Sequence, residues 1–346
     1  MSNFWTNKKI LITGCSGFSG SWMIIYLKLL GAKVCGYSLK KKDKRFIFND
    51  LKMYNNIQFC DGDILNKVKL KKFILSSKPD IIFHLAAEPI VIDCFENPKK
   101  AFDVNTLGTL NLLQIIKELK VKKKIQLNIV TTDKVYKNTN KMMKFNENSE
   151  LGGDDPYSAS KTCAEILINS YYQSYFKNKL SVNTLRAGNI IGGGDWSKYR
   201  LVPDIFNSIF NKKKLIIRNP NHIRPWQHVF DVIHVYLKIS QSTFGKNKFE
   251  KWNIGPSQKK AYTVVNILKI INKLLKVKNY FLFKKSNNFE KRYLALNTKK
   301  IRNLKIKNKL TIQKSLILTT EWYKNFFINN DKSFSEKQVK EYLRLK

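Results

Sequence analysis

Tyr157 and Lys161 stand four residues apart, so in a helix they share one face. A lysine ammonium in that position lowers a phenol's pKa toward neutrality and lets the tyrosine take a proton from a hydroxyl group. Upstream, Thr131-Thr132-Asp133-Lys134 closes an apolar run and offers hydroxyl, carboxyl and amine in consecutive positions. Thr132, Asp133, Lys134, Tyr157 and Lys161 are therefore the candidate catalytic set. Y-x-x-x-K arises by chance in many chains; here its weight comes from following a glycine turn and a polar strand end in that order.

The glycine turn is Gly14-Cys15-Ser16-Gly17-Phe18-Ser19-Gly20, set between an apolar run at 9–13 and a helix-period segment. Such glycines let the backbone turn tightly and approach a pyrophosphate, whose charge then sits on the helix N-terminus. Gly14, Ser16, Gly17, Phe18 and Gly20 are expected to hold a dinucleotide, with Asp63 and Ile64 on its adenine side and Leu85, Ala86 and Ala87 against a ribose. The acidic residue expected about 20 positions after such a turn is missing, because the second strand ends at Tyr37-Ser38 and runs into lysines. On this ground NAD and NADP both stay open.

Half of the eight arginines, Arg186, Arg200, Arg218 and Arg224, fall between positions 186 and 224 in a chain that otherwise uses lysine for charge. A guanidinium fork clamps phosphate oxygens bidentately, which an ammonium does not. Arg186 could equally be a core ion pair and Arg200 a surface residue. Arg218 and Arg224, with the Asn189 amide, are the stronger candidates for an anionic substrate.

The elements that must position these groups are legible as strand-length apolar runs near 9–13, 33–37, 57–60, 80–84, 125–131 and 180–186. Helix-period segments at about 18–30, 65–77, 97–119 and 156–176 fill the gaps. This alternation predicts an α/β fold, a Rossmann-type doubly wound parallel sheet with a smaller C-terminal α+β substrate-binding lobe. The expected division is 1–186 for the dinucleotide domain and 187–346 for the substrate lobe, with segments about 229–255 returning to the first. The last feature is an amphipathic stretch from Ile312 to Phe327.

Composition narrows the class. Apolar residues make up 43% of 346 and no apolar run reaches the ~18–20 residues of a membrane span, so a soluble cytoplasmic protein is expected. Five scattered cysteines without a C-x-x-C pair and four dispersed histidines argue against disulfides and metal. The net charge of +39 raises the question of nucleic acid, but the lysines are spread over every segment and no nucleic-acid-binding motif accompanies them. No nucleic-acid partner is expected.

Together T-G-x-x-G-F-x-G, D-G-D-I, H-L-A-A, the threonine-rich strand end and Y-x-x-x-K resemble the extended short-chain dehydrogenases, over nearly the whole chain. Within them, Asp133-Lys134 is similar to the CDP-glucose branch of the nucleotide-sugar 4,6-dehydratases. So are Arg186-Ala187-Gly188-Asn189, Gly192-Gly193-Gly194-Asp195-Trp196, Ile217-Arg218-Asn219-Pro220, Ile223-Arg224-Pro225-Trp226-Gln227-His228-Val229, Phe4-Trp5 and Trp252-Asn253-Ile254-Gly255-Pro256. Departures stand at Glu88, Ile92, Phe289 and Asn297, where that pattern has Gln, Arg, His and Asp. The resemblance implies a lyase with catalytic NAD, a nucleotide-sugar substrate held by Asn189, Arg200, Arg218 and Arg224, and a homodimer packed through the helices at 97–119 and 156–176. It further implies Tyr157 as base on the C4 hydroxyl, Lys134 as C5 base working as a neutral amine, Asp133 as acid to the C6 hydroxyl, and Thr132 holding the C4 oxygen. The product would serve deoxysugars of cell-surface polysaccharide. An epimerase or reductase on the same scaffold, or a basic cofactor-binding regulator, are the alternatives.

Overall fold

In a computed structural model, seven parallel strands form the central sheet: β1 Lys9–Thr13, β2 Lys33–Ser38, β3 Gln58–Asp61, β4 Ile81–His84, β5 Gln126–Val130, β6 Ser181–Ala187 and β7 Phe249–Ile254. The structure describes residues 3–40, 43, 45–119, 125–139, 143–217, 219–256, 262–277, 281–283 and 293–345. The strand order is β7-β6-β5-β4-β1-β2-β3, so the chain reverses its direction of travel between β1 and β4. That switch opens a crevice at the carboxyl ends of the strands, where α/β sheets bind ligands.

The strands form where they do because both sheet faces are covered. Ile10 and Ile12 pack into one core with the helices Phe18–Leu29 and Val229–Thr243, and Leu11, between them, packs into the other with Lys67–Ser77, Gly108–Glu118 and Pro156–Tyr171. A side-chain period of two puts successive residues on opposite faces, and both faces being apolar produces the unbroken hydrophobic runs. Each such side chain contributes about 1.5–3 kcal/mol of burial.

Two helices depart from the expected regular spans. The one expected at 97–119 is Pro98–Phe102 and Gly108–Glu118 joined through a π-helical turn, Asp103–Leu107, and the one expected at 156–176 ends in another, Tyr172–Phe176. A further short helix, Val91–Glu96, lies in a stretch for which the sequence suggested no element.

Beyond β6, the strands outside the central sheet are short. Two-residue strands pair Ile190–Ile191 with Gln227–His228 and Ile223–Arg224 with Tyr262–Thr263, and Leu215–Ile217 pairs with Phe281–Phe283. The amphipathic stretch is the helix Ile312–Lys324, continued by a π turn, Asn325–Asn329. The last helix, Phe334–Arg344, packs back against the helices Phe18–Leu29 and Val229–Thr243: Tyr342 donates to Asp231 at 2.8 Å and lies edge-on to Tyr26.

Candidate active site

The carboxyl end of the sheet opens into a cavity of about 720 Å³, and its wall includes Thr132, Asp133, Lys134, Tyr157 and Lys161. A capping box builds the Tyr157 end. The Asp155 carboxylate accepts from Ser158 N at 3.0 Å, Ser158 Oγ accepts from Asp155 N at 3.2 Å, and Pro156 occupies the first helical turn. Tyr157 therefore leaves the first turn at a fixed angle.

Lys161 Nζ donates to Val130 O at 3.2 Å, tying the helix to the end of β5. The loop after β5 tightens into a 3₁₀ turn, Asp133–Val135, with Lys134 N donating to Thr132 Oγ1 at 3.3 Å. Thr132 Oγ1 in turn donates to Asp133 Oδ1 at 3.2 Å, and Lys134 Nζ lies 6.0 Å from the Tyr157 ring centre.

Burial dominates the electrostatics. It pushes the Asp133 carboxyl up to about 6 against the opposing charges of Lys134 and Arg224, and holds Lys161 down to about 8. The Tyr157 phenol is pushed up to about 12, with the Thr132 hydroxyl and the Arg200 charge opposing. The expected approach to neutrality is not met: the desolvation of Tyr157 outweighs every cation that faces it. Asp133 Oδ2 is buried without a hydrogen-bond partner and lies 3.1 Å from the position a Gly188 Cβ would take.

Of the four clustered arginines, Arg200 and Arg224 line the cavity with Asn189. Arg200 pairs with buried Asp195 at 3.0 Å, and Arg224 donates to Ile223 O and to His222 Nδ1, each at 3.0 Å. Arg186 turns away. It is fully buried and forms a two-pronged pair with Glu165 at 2.8 and 2.7 Å, so the ion-pair alternative is the one realised. Removing one partner of such a pair costs about 3–5 kcal/mol. Arg218 and Phe289 lie outside the described residues. Glu88 pairs with Lys100 at 2.8 Å, Ile92 lines the cavity, and Asn297 accepts from Lys299 N.

The cofactor candidates form a neighbouring cradle. Gly14 has φ +71°, and a Cβ there would come within 2.6 Å of Ala86 N, while one on Gly20 would meet Gly14 O at 2.5 Å. The Phe18–Leu29 helix begins at Gly17 with no side-chain cap, so its first N–H groups stay available to an anion. These features fit a pyrophosphate. Ser16 Oγ donates to Leu39 O and contacts Ser38 Oγ, each at 2.7 Å, and Phe18 is buried beneath Gly192. Asp63 Oδ1 caps Leu65 N at 2.9 Å, and Ile64 packs under Gly108. Leu85 and Ala87 reach the cavity wall; Gly14, Ser16, Gly17, Phe18, Gly20, Asp63, Ile64 and Ala86 do not.

Sequence reading missed several wall residues: Ser19, Ile90, Val91, Phe95, Asp195 and His222. The spacing Tyr157, Lys161, Glu165, one helical turn apart each time, was the available sign that a buried carboxylate shares the catalytic face.

Residues 11–317 match the family described as GDP-mannose 4,6 dehydratase. Over 270 residues the chain is 39% identical to a CDP-glucose 4,6-dehydratase of Salmonella typhimurium, spanning 76% of this chain and 75% of that one. A human dTDP-D-glucose 4,6-dehydratase is 26% identical over 331 residues, 93% of this chain and 91% of that one. Among solved structures, a dTDP-glucose 4,6-dehydratase from Bacillus anthracis in complex with NAD aligns with a TM-score of 0.78 at 26% identity, covering 94% of this chain and 99% of that chain.

Proposed function

Because the chain belongs to the GDP-mannose 4,6-dehydratase family, we propose that it is a CDP-glucose 4,6-dehydratase, a hydro-lyase that converts CDP-glucose to CDP-4-dehydro-6-deoxyglucose and water. The observation that carries this is one cavity wall holding Thr132, Asp133, Lys134, Tyr157 and Lys161, with Arg200, Arg224 and Asn189 also lining the cavity. The 39% identity over 270 residues to the CDP-glucose relative supports cytidine as the base.

The cofactor is NAD. Gly14, Ser16, Gly17, Phe18 and Gly20 would hold its pyrophosphate, Asp63 and Ile64 its adenine end, and Leu85, Ala86 and Ala87 its inner ribose. Bound NAD supplies the acceptor and later the donor of the hydride, and its oxidised ring brings a positive charge that favours ionisation of a nearby phenol. Tyr157 takes the proton of the C4 hydroxyl, with Lys161 as the cation beneath it and Thr132 bonded to the C4 oxygen. Lys134 removes the C5 proton made acidic by the 4-ketone. Asp133, whose burial favours the protonated acid, gives its proton to the departing C6 hydroxyl. Arg200, Arg218, Arg224 and Asn189 bind the sugar nucleotide. Net redox change is zero.

The reading includes a cytoplasmic homodimer supplying deoxysugars for cell-surface polysaccharide, and no described helix is long and apolar enough to cross a membrane. Exposed Phe102, Leu107, Ile166 and Tyr175 on the 98–118 and 156–176 helical segments support pairing through those segments. A monomer in sedimentation at micromolar concentration would count against it. The activity is tested by incubating the protein with NAD and CDP-, TDP-, UDP- and GDP-sugars. Loss of one water from CDP-glucose is expected; loss from another nucleotide only would overturn the base assignment, and loss from none the reaction.

A further inference from the structure

We propose that the buried Glu165–Arg186 pair is a positioning device, holding both ends of the loop 131–136 against the helix face that carries Tyr157 and Lys161. This rests on the dehydratase reading above. Glu165 follows Lys161 by one helical turn and Tyr157 by two, so all three side chains share a face. At the near end of the loop, Thr131 Oγ1 donates to Glu165 Oε1 at 2.6 Å. At the far end, Arg186 Nη1 donates to Tyr136 Oη at 2.8 Å, and Tyr136 Oη donates to Asn253 Oδ1 at 2.5 Å. The acid and base candidates Asp133 and Lys134 lie between these two ties.

Four elements thus meet on one ion pair: the Pro156–Tyr171 helix through Glu165, β6 through Arg186, β7 through Asn253, and the loop through Thr131 and Tyr136. Arg186 is fully enclosed and Glu165 2% exposed. Burying two charges carries a desolvation penalty that a well-packed apolar pair would avoid, so stability alone is a poor reason for this arrangement. Geometry is a better one, because a misplacement of about 1 Å at a catalytic group costs about 10²-fold in rate.

The pair also acts on charge. Burial lowers Lys161 to about 8, and the Glu165 carboxylate is the foremost group opposing that fall, followed by Cys94 of the Val91–Glu96 helix. His84 of β4, held neutral near about 3 by burial, also faces Lys161. Around the pair stand Tyr136, Glu147 and Lys251. Lys161 is charged below about 8, so losing the Glu165 charge moves the alkaline limb of activity to lower pH.

The test compares four variants with the wild-type holoenzyme, the first two being the double variant and Thr131→Val. Glu165→Gln/Arg186→Gln removes both charges and leaves amides able to pair, while Thr131→Val cuts only the near tie and keeps the charge. For the double variant, with wild-type circular dichroism, kcat is expected to fall at least about tenfold at KM within about threefold, with the alkaline limb about one unit lower. Thr131→Val is expected to lower kcat about fivefold or more with its alkaline limb in place, and Glu165→Asp to restore the limb of the charged pair. Wild-type kcat and pH profile in a folded double variant would overturn the proposal. If the double variant does not fold, Thr131→Val decides, and a wild-type kcat there overturns it. Should the wild type dehydrate no nucleotide sugar, the parent reading falls separately. NAD affinity titrated against pH, which needs no turnover, then separates the outcomes: a limb common to wild type and Glu165→Gln overturns the proposal, and one displaced to lower pH in the variant supports it.

Discussion

The two halves of the cleft are built differently. On the sheet side, the cofactor cradle and catalytic loop follow directly from regular elements: Gly14 turns because β1 ends there, and Tyr157 sits in the first turn of a capped helix. On the loop side, between positions 188 and 228, two-residue strands flank Asn189 and carry Arg224, Arg200 stands at the start of the helix Leu201–Phe210, and distant side chains steady the segment. Trp22 Nε1 donates to Gly193 O at 2.9 Å, Tyr323 Oη donates to Asp195 O at 2.5 Å, and Trp196 is enclosed by Trp322, Tyr323, Phe326 and Phe327. Backbone positions one half; long-range side-chain packing positions the other. Substitutions on the sheet side should therefore change the chemical steps, and those on the loop side should change substrate affinity and local stability.

The largest effect is expected on the sheet side. Tyr157→Phe should lower kcat by about 10²–10⁴-fold with little change in KM, because it removes a group that moves a proton. Lys134→Met sharpens this by separating the steps: reduced nicotinamide absorbance should still appear on adding CDP-glucose, while C5 exchange with deuterated solvent and loss of water collapse. Wild-type C5 exchange in Lys134→Met would pass the role of base to another group.

An intermediate effect is expected across the cleft. Arg224→Gln keeps a polar side chain but loses the charged fork, and charge-assisted hydrogen bonds contribute about 1.5–3 kcal/mol, so KM for CDP-glucose should rise about 10–100-fold with kcat within about fivefold. A fall in kcat at constant KM would break the division between the halves. It would point instead to the influence of Arg224 on Asp133, whose carboxyl its charge draws downward.

How much of this was legible in the sequence follows the same division. The runs at 9–13, 33–37 and 80–84 were readable because parallel strands covered on both faces are mostly apolar, and Gly14 and Tyr157 were readable because turn and helix geometry fix their spacing. The π turns Asp103–Leu107 and Tyr172–Phe176 were not, since a single widened turn leaves the helical period nearly unchanged. Arg186 could be read two ways because its partner Glu165 is 21 residues away, and only the fold brings them together. Asp195 and His222 went unnoticed as neighbours of Arg200 and Arg224, because loop contacts of two to five residues carry no periodic signature.

The smallest effect, and the most direct probe of the loop side, is expected at Gly193. A Cβ there would lie 2.1 Å from Trp322 Cγ, and the ring cannot simply swing aside because its Nε1 donates to buried Ser335 Oγ at 2.9 Å. Gly193 O itself accepts from Trp22 Nε1, so Gly193→Ala overfills a space in which both the glycine and the indole are tied down. Such overpacking costs about 1–3 kcal/mol, to be read as a lower melting temperature with KM for CDP-glucose raised no more than about threefold. Trp322→Ala alone should also destabilise, by opening a cavity in the aromatic cluster. Combined, the two changes relieve each other, because the alanine methyl enters space the indole has left. The double variant should therefore lose less than the sum of the single losses, by more than about 0.5 kcal/mol. Simple additivity would mean that the glycine loop is not seated on the Ile312–Lys324 helix, and that backbone geometry positions the substrate side as it does the cofactor side.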